Sequence, residues 1–138
     1  MSLIHFSPER CVGCGACVGV CLDEQDNLPV TAPPLRRLVC VETPERVTWY
    51  SVGCLHCDDP ACVGACPKGC ISRDEATGLV GLDTAACIGC GACARKCPHG
   101  AVVIEGRKAH KCTGCAGGTP RCVTACPSRA LTFTPQTP

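Results

Sequence analysis

The chain has 138 residues, a formal charge of +1 and 46% hydrophobic residues, but only 3% aromatics, namely Phe6, Trp49, Tyr50 and Phe133. That is too little bulk for an ordinary globular core, so the fold is expected to rest on bound cofactors, with metal binding coupled to folding. Lys and Arg are scattered rather than gathered in a stripe interleaved with aromatics, which excludes a nucleic-acid footprint, and no apolar run is long enough to span a membrane.

Residues 1–10 contain no apolar leader segment and no cleavage site, so no export signal is expected. Cys11-x2-Cys14-x2-Cys17-x3-Cys21 forms the first of four cysteine runs. Leu22 to Leu35 is polar and proline-containing and reads as a loop. Arg36 to Glu42 and Val47 to Val52 are β-branched runs around Thr43-Pro44-Glu45-Arg46 and read as a hairpin. The second run is Cys54-x2-Cys57-x4-Cys62-x3-Cys66. Pro67 to Ala86 reads as a short helical turn, a strand, a glycine turn and a strand. The third run is Cys87-x2-Cys90-x2-Cys93-x3-Cys97. A further hairpin is expected from Ala101 to Ile104 and Arg107 to His110, flanking Glu105-Gly106. Cys112-x2-Cys115-x6-Cys122-x3-Cys126 is the fourth run, and the tail from Thr134 to Pro138 is expected to be disordered.

Sixteen of the eighteen cysteines fall in these runs, and Pro67, Pro98 and Pro127 follow the last cysteine of three of them. C-x2-C-x2-C-x3-C-P is the bacterial ferredoxin signature for a [4Fe–4S] cluster, with the fourth cysteine serving the other cluster of a pair. A cubane needs a thiolate at each iron. Three cysteines on one tight loop can cap three corners, and small residues such as Gly13, Gly15, Ala16, Gly89, Gly91 and Ala92 let the backbone wrap closely. The proline turns the chain away after the fourth. Disulfides would need an oxidising compartment, structural zinc usually uses two separated C-x2-C pairs, and a redox-active C-x2-C would need one pair rather than four quartets. Four clusters at about −2 each would bring the holoprotein to about −7.

The stretch between runs two and three looks like the middle of a bacterial two-cluster ferredoxin, so these runs pair and runs one and four are left to pair with each other. The expected fold class is α+β: two interleaved ferredoxin-like dicluster domains with short hairpins, short helices and a cofactor-dominated core. The outer domain would take residues 1–35 plus 105–138 and the inner one residues 36–104.

Cys54-Leu55-His56-Cys57-Asp58-Asp59-Pro60-Ala61-Cys62-Val63-Gly64-Ala65-Cys66-Pro67 is similar to the second run, and Lys111-Cys112-Thr113-Gly114-Cys115 with Pro120-Arg121-Cys122-Val123-Thr124-Ala125-Cys126-Pro127 to the fourth run, of a known family. That family is the four-cluster iron–sulfur subunits of molybdenum and tungsten oxidoreductases, which includes the dimethyl sulfoxide reductase electron-transfer subunit. The resemblance covers nearly the whole chain from Cys11. It implies four [4Fe–4S] clusters, held by Cys11, Cys14, Cys17 and Cys126; by Cys21, Cys112, Cys115 and Cys122; by Cys54, Cys57, Cys62 and Cys97; and by Cys66, Cys87, Cys90 and Cys93. Leu22 departs from the family's proline after Cys21. The chain also ends twelve residues after Cys126, where many members extend toward a membrane anchor. This favours the cytoplasmic branch, which serves tungsten aldehyde oxidoreductases, formate dehydrogenases, hydrogenases and carbon monoxide dehydrogenases.

Cys40 and Cys70 lie outside the runs and read as small buried residues, Cys70 aligning with Ala101 and Ala130. His56 stands between two ligands, where it either tunes a cluster or packs; His99, His5 and His110 share the ambiguity. Trp49 and Tyr50 read as packing residues that cover a cluster or face a partner. Lys68, Arg95, Lys96, Arg107, Lys108 and Lys111 offset cluster charge, dock an acidic surface or are simply solvated.

No nucleophile–base arrangement, phosphate-binding loop or open catalytic metal set is visible, so no catalytic site is expected. The first expectation is a subunit relaying electrons between a large catalytic oxidoreductase subunit, with a tungsten or molybdenum pterin favoured over nickel, and a ferredoxin or flavoprotein. Self-association would lengthen the wire. The alternatives are a freestanding polyferredoxin and an accessory protein of metalloenzyme assembly.

Overall fold

Each cysteine run folds as a loop that enters a short helix, and the helix begins one residue before the third cysteine. In the computed structural model, which describes residues 3–23, 32–115 and 119–135, these helices are α1 (Ala16–Asp23), α2 (Ala61–Ala65), α3 (Ala92–Lys96) and α4 (Arg121–Ala125). The x3 spacing sets the third and fourth cysteines four residues apart, which is one helical face. A residue before proline is driven from the helical region to the extended one. Cys66, Cys97 and Cys126 accordingly end α2, α3 and α4 with ψ of 116°, 118° and 110°. Run one has Leu22 instead of proline, and α1 continues through Cys21 to Asp23. Leu22 and Asp23, expected to begin a loop running to Leu35, are thus helical; residues 24–31 of that stretch lie outside the described residues.

Eight strands form four antiparallel pairs among the described residues. β2 (Arg37–Glu42) and β3 (Val47–Val52) make the first expected hairpin, closed by Thr43, whose N–H donates to Arg46 O at 2.9 Å. β4 (Ile71–Arg73) pairs with β5 (Val80–Leu82) across a turn in which Asp74 Oδ1 accepts the N–H groups of Ala76 and Thr77. β6 (Val103–Glu105) pairs with β7 (Lys108–His110). Their turn is Gly106-Arg107, at φ 60° and 63°, one residue later than expected, because a two-residue hairpin turn of this hand needs positive φ at both positions. β1 (Ile4–Phe6) and β8 (Leu131–Phe133), not expected from the sequence, join the two ends of the described chain. Thr134, expected in a disordered tail, donates its N–H to Leu3 O at 2.8 Å, while residues 136–138 lie outside the described residues.

Among the described residues the buried core is built from aliphatic residues, alanine and cysteine in two clusters. One gathers Cys70, Ile71, Val80, Cys93 and Ala109; the other gathers Ile4, Cys17, Cys122 and Leu131. α1 packs with α4, and α2 with α3. The β2–β3 hairpin packs toward the Ile4 cluster through Leu38, and Tyr50 meets Phe6 with ring centroids 6.3 Å apart. Cys70 is buried as expected. Cys40 is not: every residue of β2 except Leu38 is exposed, so Cys40 faces solvent with Val39 and Val41.

Candidate iron–sulfur centre

Two cavities are lined by cysteines in sets that sequence proximity alone would not give. Cys54, Cys57 and Cys62 of run two line one pocket together with Cys97, the last cysteine of run three. Leu55, Pro60, Val80 and Pro98 complete its apolar wall. Cys11, Cys14 and Cys17 of run one line a second pocket with Cys126, the last cysteine of run four. The α2–α3 and α1–α4 packings make this possible, because each helix carries its final cysteine to the neighbouring loop.

The other cysteines are also drawn together. Cys21 lies beside Cys115 and Cys122, and Cys112 lies beside Cys122 and Cys54. Cys66 and Cys87 neighbour Cys93, whereas Cys90 is exposed. Burial pushes the Cys112 thiol up to about 12 and the Cys21 thiol up to about 11, Arg36 opposing the shift at Cys21. An uncompensated thiolate is therefore unfavourable there, and iron is the partner that deprotonates such a thiol outright.

Backbone amides point at the sulfurs in a repeating pattern. The residue two after the first cysteine donates to it in three runs: His56 to Cys54 at 3.4 Å, Gly89 to Cys87 at 3.4 Å and Gly114 to Cys112 at 3.3 Å. The residue four after the last cysteine does the same, Cys70 to Cys66 at 3.3 Å, Ala101 to Cys97 at 3.5 Å and Ala130 to Cys126 at 3.3 Å. This explains the alignment of Cys70 with two alanines: the position contributes a backbone N–H and a small buried side chain. Such N–H···S bonds are among the features that set a cluster's potential.

Two cations are buried without an acidic partner among the described residues. Arg36 is 2% exposed and donates to Ser51 Oγ at 3.0 Å and Cys54 O at 3.4 Å. Lys111 is 6% exposed and donates to Cys112 O at 2.8 Å and to Val80 O. Burying a charge without a counter-charge is costly; anionic thiolate-ligated clusters provide one. The donor set, the cavities and these cations all fit [4Fe–4S] groups. Lys111 was legible only as one of several cations, and Arg36 not at all, since neither burial nor isolation from carboxylates shows in a sequence.

The remaining candidates separate by position. His56 is buried and has partners on both ring nitrogens. Burial, then Lys111 and Arg36, lowers its pKa to about 3. His99 lines the Cys54 cavity, and His110 bonds Glu105 O at 3.2 Å, closing its own hairpin. His5 sits in β1 paired with Thr132. Trp49 packs on Gly13 of the first loop. Lys108 donates to Cys87 O at 2.6 Å and Arg95 to Cys90 O at 3.1 Å, so both brace the third loop. Lys68, Lys96 and Arg107 are exposed.

Comparison with known proteins agrees with this chemistry. Residues 46–136 match the 4Fe–4S dicluster domain and residues 4–21 a 4Fe–4S binding domain. The chain is 37% identical over 145 residues to the probable anaerobic dimethyl sulfoxide reductase chain YnfG of Escherichia coli (strain K12), spanning 91% of this chain and 69% of that protein. It is 36% identical over 151 residues to the B subunit of the anaerobic dimethyl sulfoxide reductase of Haemophilus influenzae, spanning 95% and 72%. It is 33% identical over 132 residues to the NADH-dependent phenylglyoxylate dehydrogenase subunit beta of Aromatoleum evansii, spanning 94% of this chain and 29% of that one. These matches and the four cysteine runs support four [4Fe–4S] clusters as cofactors, and no described helix is long and apolar enough to cross a membrane. The chain belongs to the 4Fe–4S dicluster family that includes the B subunits of anaerobic dimethyl sulfoxide reductases.

Proposed function

We propose that this chain is an electron-transfer subunit that relays electrons through four [4Fe–4S] clusters in series and has no catalytic site of its own. The clusters would be held by Cys11, Cys14, Cys17 and Cys126; by Cys21, Cys112, Cys115 and Cys122; by Cys54, Cys57, Cys62 and Cys97; and by Cys66, Cys87, Cys90 and Cys93. The observation that carries this reading is the pair of cavities in which three cysteines of one run meet the last cysteine of another. The sets define two interleaved units, an outer one formed by runs one and four and an inner one formed by runs two and three.

The neighbour relations support a linear order. Cys17 lies beside Cys122, joining the first set to the second. Cys112 lies beside Cys54, joining the second to the third. Cys62 in α2 and Cys66 just after its end pack against the same buried cluster, joining the third to the fourth. Both ends reach the surface: Cys14 and Cys90 are exposed, each near an exposed aliphatic residue, Val12 and Ile88. Reversible one-electron storage is the chemistry the clusters supply. The protein's own residues bury them, aim N–H groups at their sulfurs and place Arg36 and Lys111 beside them.

One end would meet a large tungsten or molybdenum pterin subunit, an aldehyde oxidoreductase being one example, and the other a ferredoxin or flavoprotein in the cytoplasm. The relatives named as parts of a reductase and a dehydrogenase support a dedicated subunit over a freestanding polyferredoxin. Anaerobic purification at low salt, with mass spectrometry and metal analysis of what stays bound, tests this. A large subunit carrying tungsten or molybdenum is the expected result. Recovery of the chain alone, with about sixteen irons, would leave the diffusing ferredoxin as the better account.

A further inference from the structure

Run two departs from the other runs at one position. The residue just before the second cysteine is Gly13, Gly89 and Gly114 in runs one, three and four, with φ of 72°, 72° and 74°. In run two it is His56, at φ 51°. A side chain in this left-handed region carries a strain that glycine avoids. The loop needs only the backbone N–H from this position, which glycine supplies in runs three and four. The imidazole is therefore not required to shape the loop.

Its contacts show what it adds. His56 is 1% exposed. The Val80 N–H donates to Nδ1 at 3.0 Å, so Nδ1 is unprotonated and the ring proton sits on Nε2. Nε2 stands 3.4 Å from Cys112 Sγ, a sulfur of run four. Lys111 holds the same residue, Val80, by its carbonyl, which fixes the strand that fixes the ring. A side chain rooted between Cys54 and Cys57 thus donates to a ligand of the neighbouring cluster.

We propose that His56 is a positioning residue that raises the reduction potential of the cluster ligated by Cys112, through one Nε2–H···Sγ hydrogen bond, and so sets the electron step between that cluster and the one ligated by Cys54 and Cys57. This rests on the four-cluster reading above. A hydrogen bond to a cluster sulfur favours the reduced, more negative state, and no other run carries a side chain that could do the same from this position.

The test is an anaerobic redox titration of the holoprotein followed by EPR, with iron counted per chain. His56→Gly restores the glycine of the other runs and removes only the imidazole. It should keep the wild-type iron content and shift the midpoint of one cluster downward, leaving three unmoved. His56→Gln, whose amide can replace the Nε2 donor, should recover part of that shift. In the wild-type protein labelled with 15N-histidine, pulsed EPR should show one imidazole nitrogen coupled to one reduced cluster. No shift in His56→Gly, an equal shift of all clusters, loss of iron in that variant, or no nitrogen coupling would overturn the proposal. A wild-type protein with far fewer than about sixteen irons would instead sink the four-cluster reading, and this inference with it.

Discussion

A β-carbon on Gly13 would stand 2.6 Å from two carbons of the Trp49 ring. Strand β3 therefore lies directly on the loop between Cys11 and Cys14, and the tryptophan covers that loop. Gly13 is constrained twice, by a φ of 72° and by the indole. Gly13→Ala should cost at least about 1–2 kcal/mol from the left-handed backbone alone. It should also lower iron content from about sixteen toward about twelve per chain, with one EPR component lost. Unchanged iron would show that the indole yields readily.

The cysteine pairing is open to a direct spectroscopic check. Cys126→Ser should give the same altered cluster spectrum as Cys14→Ser, because both side chains line the Cys11 cavity. Cys97→Ser should match Cys57→Ser for the same reason. If Cys126→Ser instead matched Cys115→Ser, each run would keep its own fourth ligand.

Lys111 is buried against Val80 O and Cys112 O with no acidic partner among the described residues, and it lies beside Cys62 as well as Cys112. A buried cation favours the more negative reduced clusters. Lys111→Met should therefore lower the midpoint potentials of two clusters, those at Cys62 and Cys112, and leave the other two in place. An EPR-monitored redox titration reads this out, and an unmoved pair would deny the cation that role.

The two cysteines outside the runs should behave in opposite ways. Cys40 is exposed on β2 and should be alkylated quickly in the folded holoprotein. Cys70 is 4% exposed, and burial, then the adjacent Cys66, pushes its thiol up to about 11, so it should react slowly. Mass spectrometry after brief iodoacetamide treatment should find Cys40 modified first. Cys70→Ala should keep full iron content, since Ala101 and Ala130 do the same work in the later runs.

Iron removal should unfold the chain. Among the described residues the two buried clusters contain nine residues, of which Cys70, Cys93, Cys17 and Cys122 are cysteines, and few are large. That burial is too small to offset the conformational entropy of the chain without its metal. Chelation under reducing conditions should abolish the far-UV circular dichroism of the hairpins and open the protein to proteolysis. A protease-resistant apoprotein would contradict this.

Much of this protein was legible as spacing. The cysteine intervals made the tight loops readable, and each Cys-Pro step marked where the chain turns away, which in the structure is the end of a helix, because proline drives the preceding cysteine into an extended conformation. β-branched runs around turn residues located the β2–β3 hairpin, and the β6–β7 hairpin to within about two residues. Other features depended on which surfaces came together. Three-residue strands such as Ile4–Phe6 and Leu131–Phe133 have too few residues for a periodic signal, and they exist because they pair across almost the whole chain. Cys40 has the same valine neighbours a buried strand would have, yet only folding reveals that it is exposed. His56 is one histidine among four until folding brings Val80 to one ring nitrogen and Cys112 to the other. Local cysteine intervals were enough to identify the iron–sulfur chemistry and to nominate the candidate ligands, since a cluster is ligated by closely spaced thiolates. Which cations and which imidazole stand beside those sulfurs followed from folding alone, since burial and hydrogen bonding are set by residues distant in the chain.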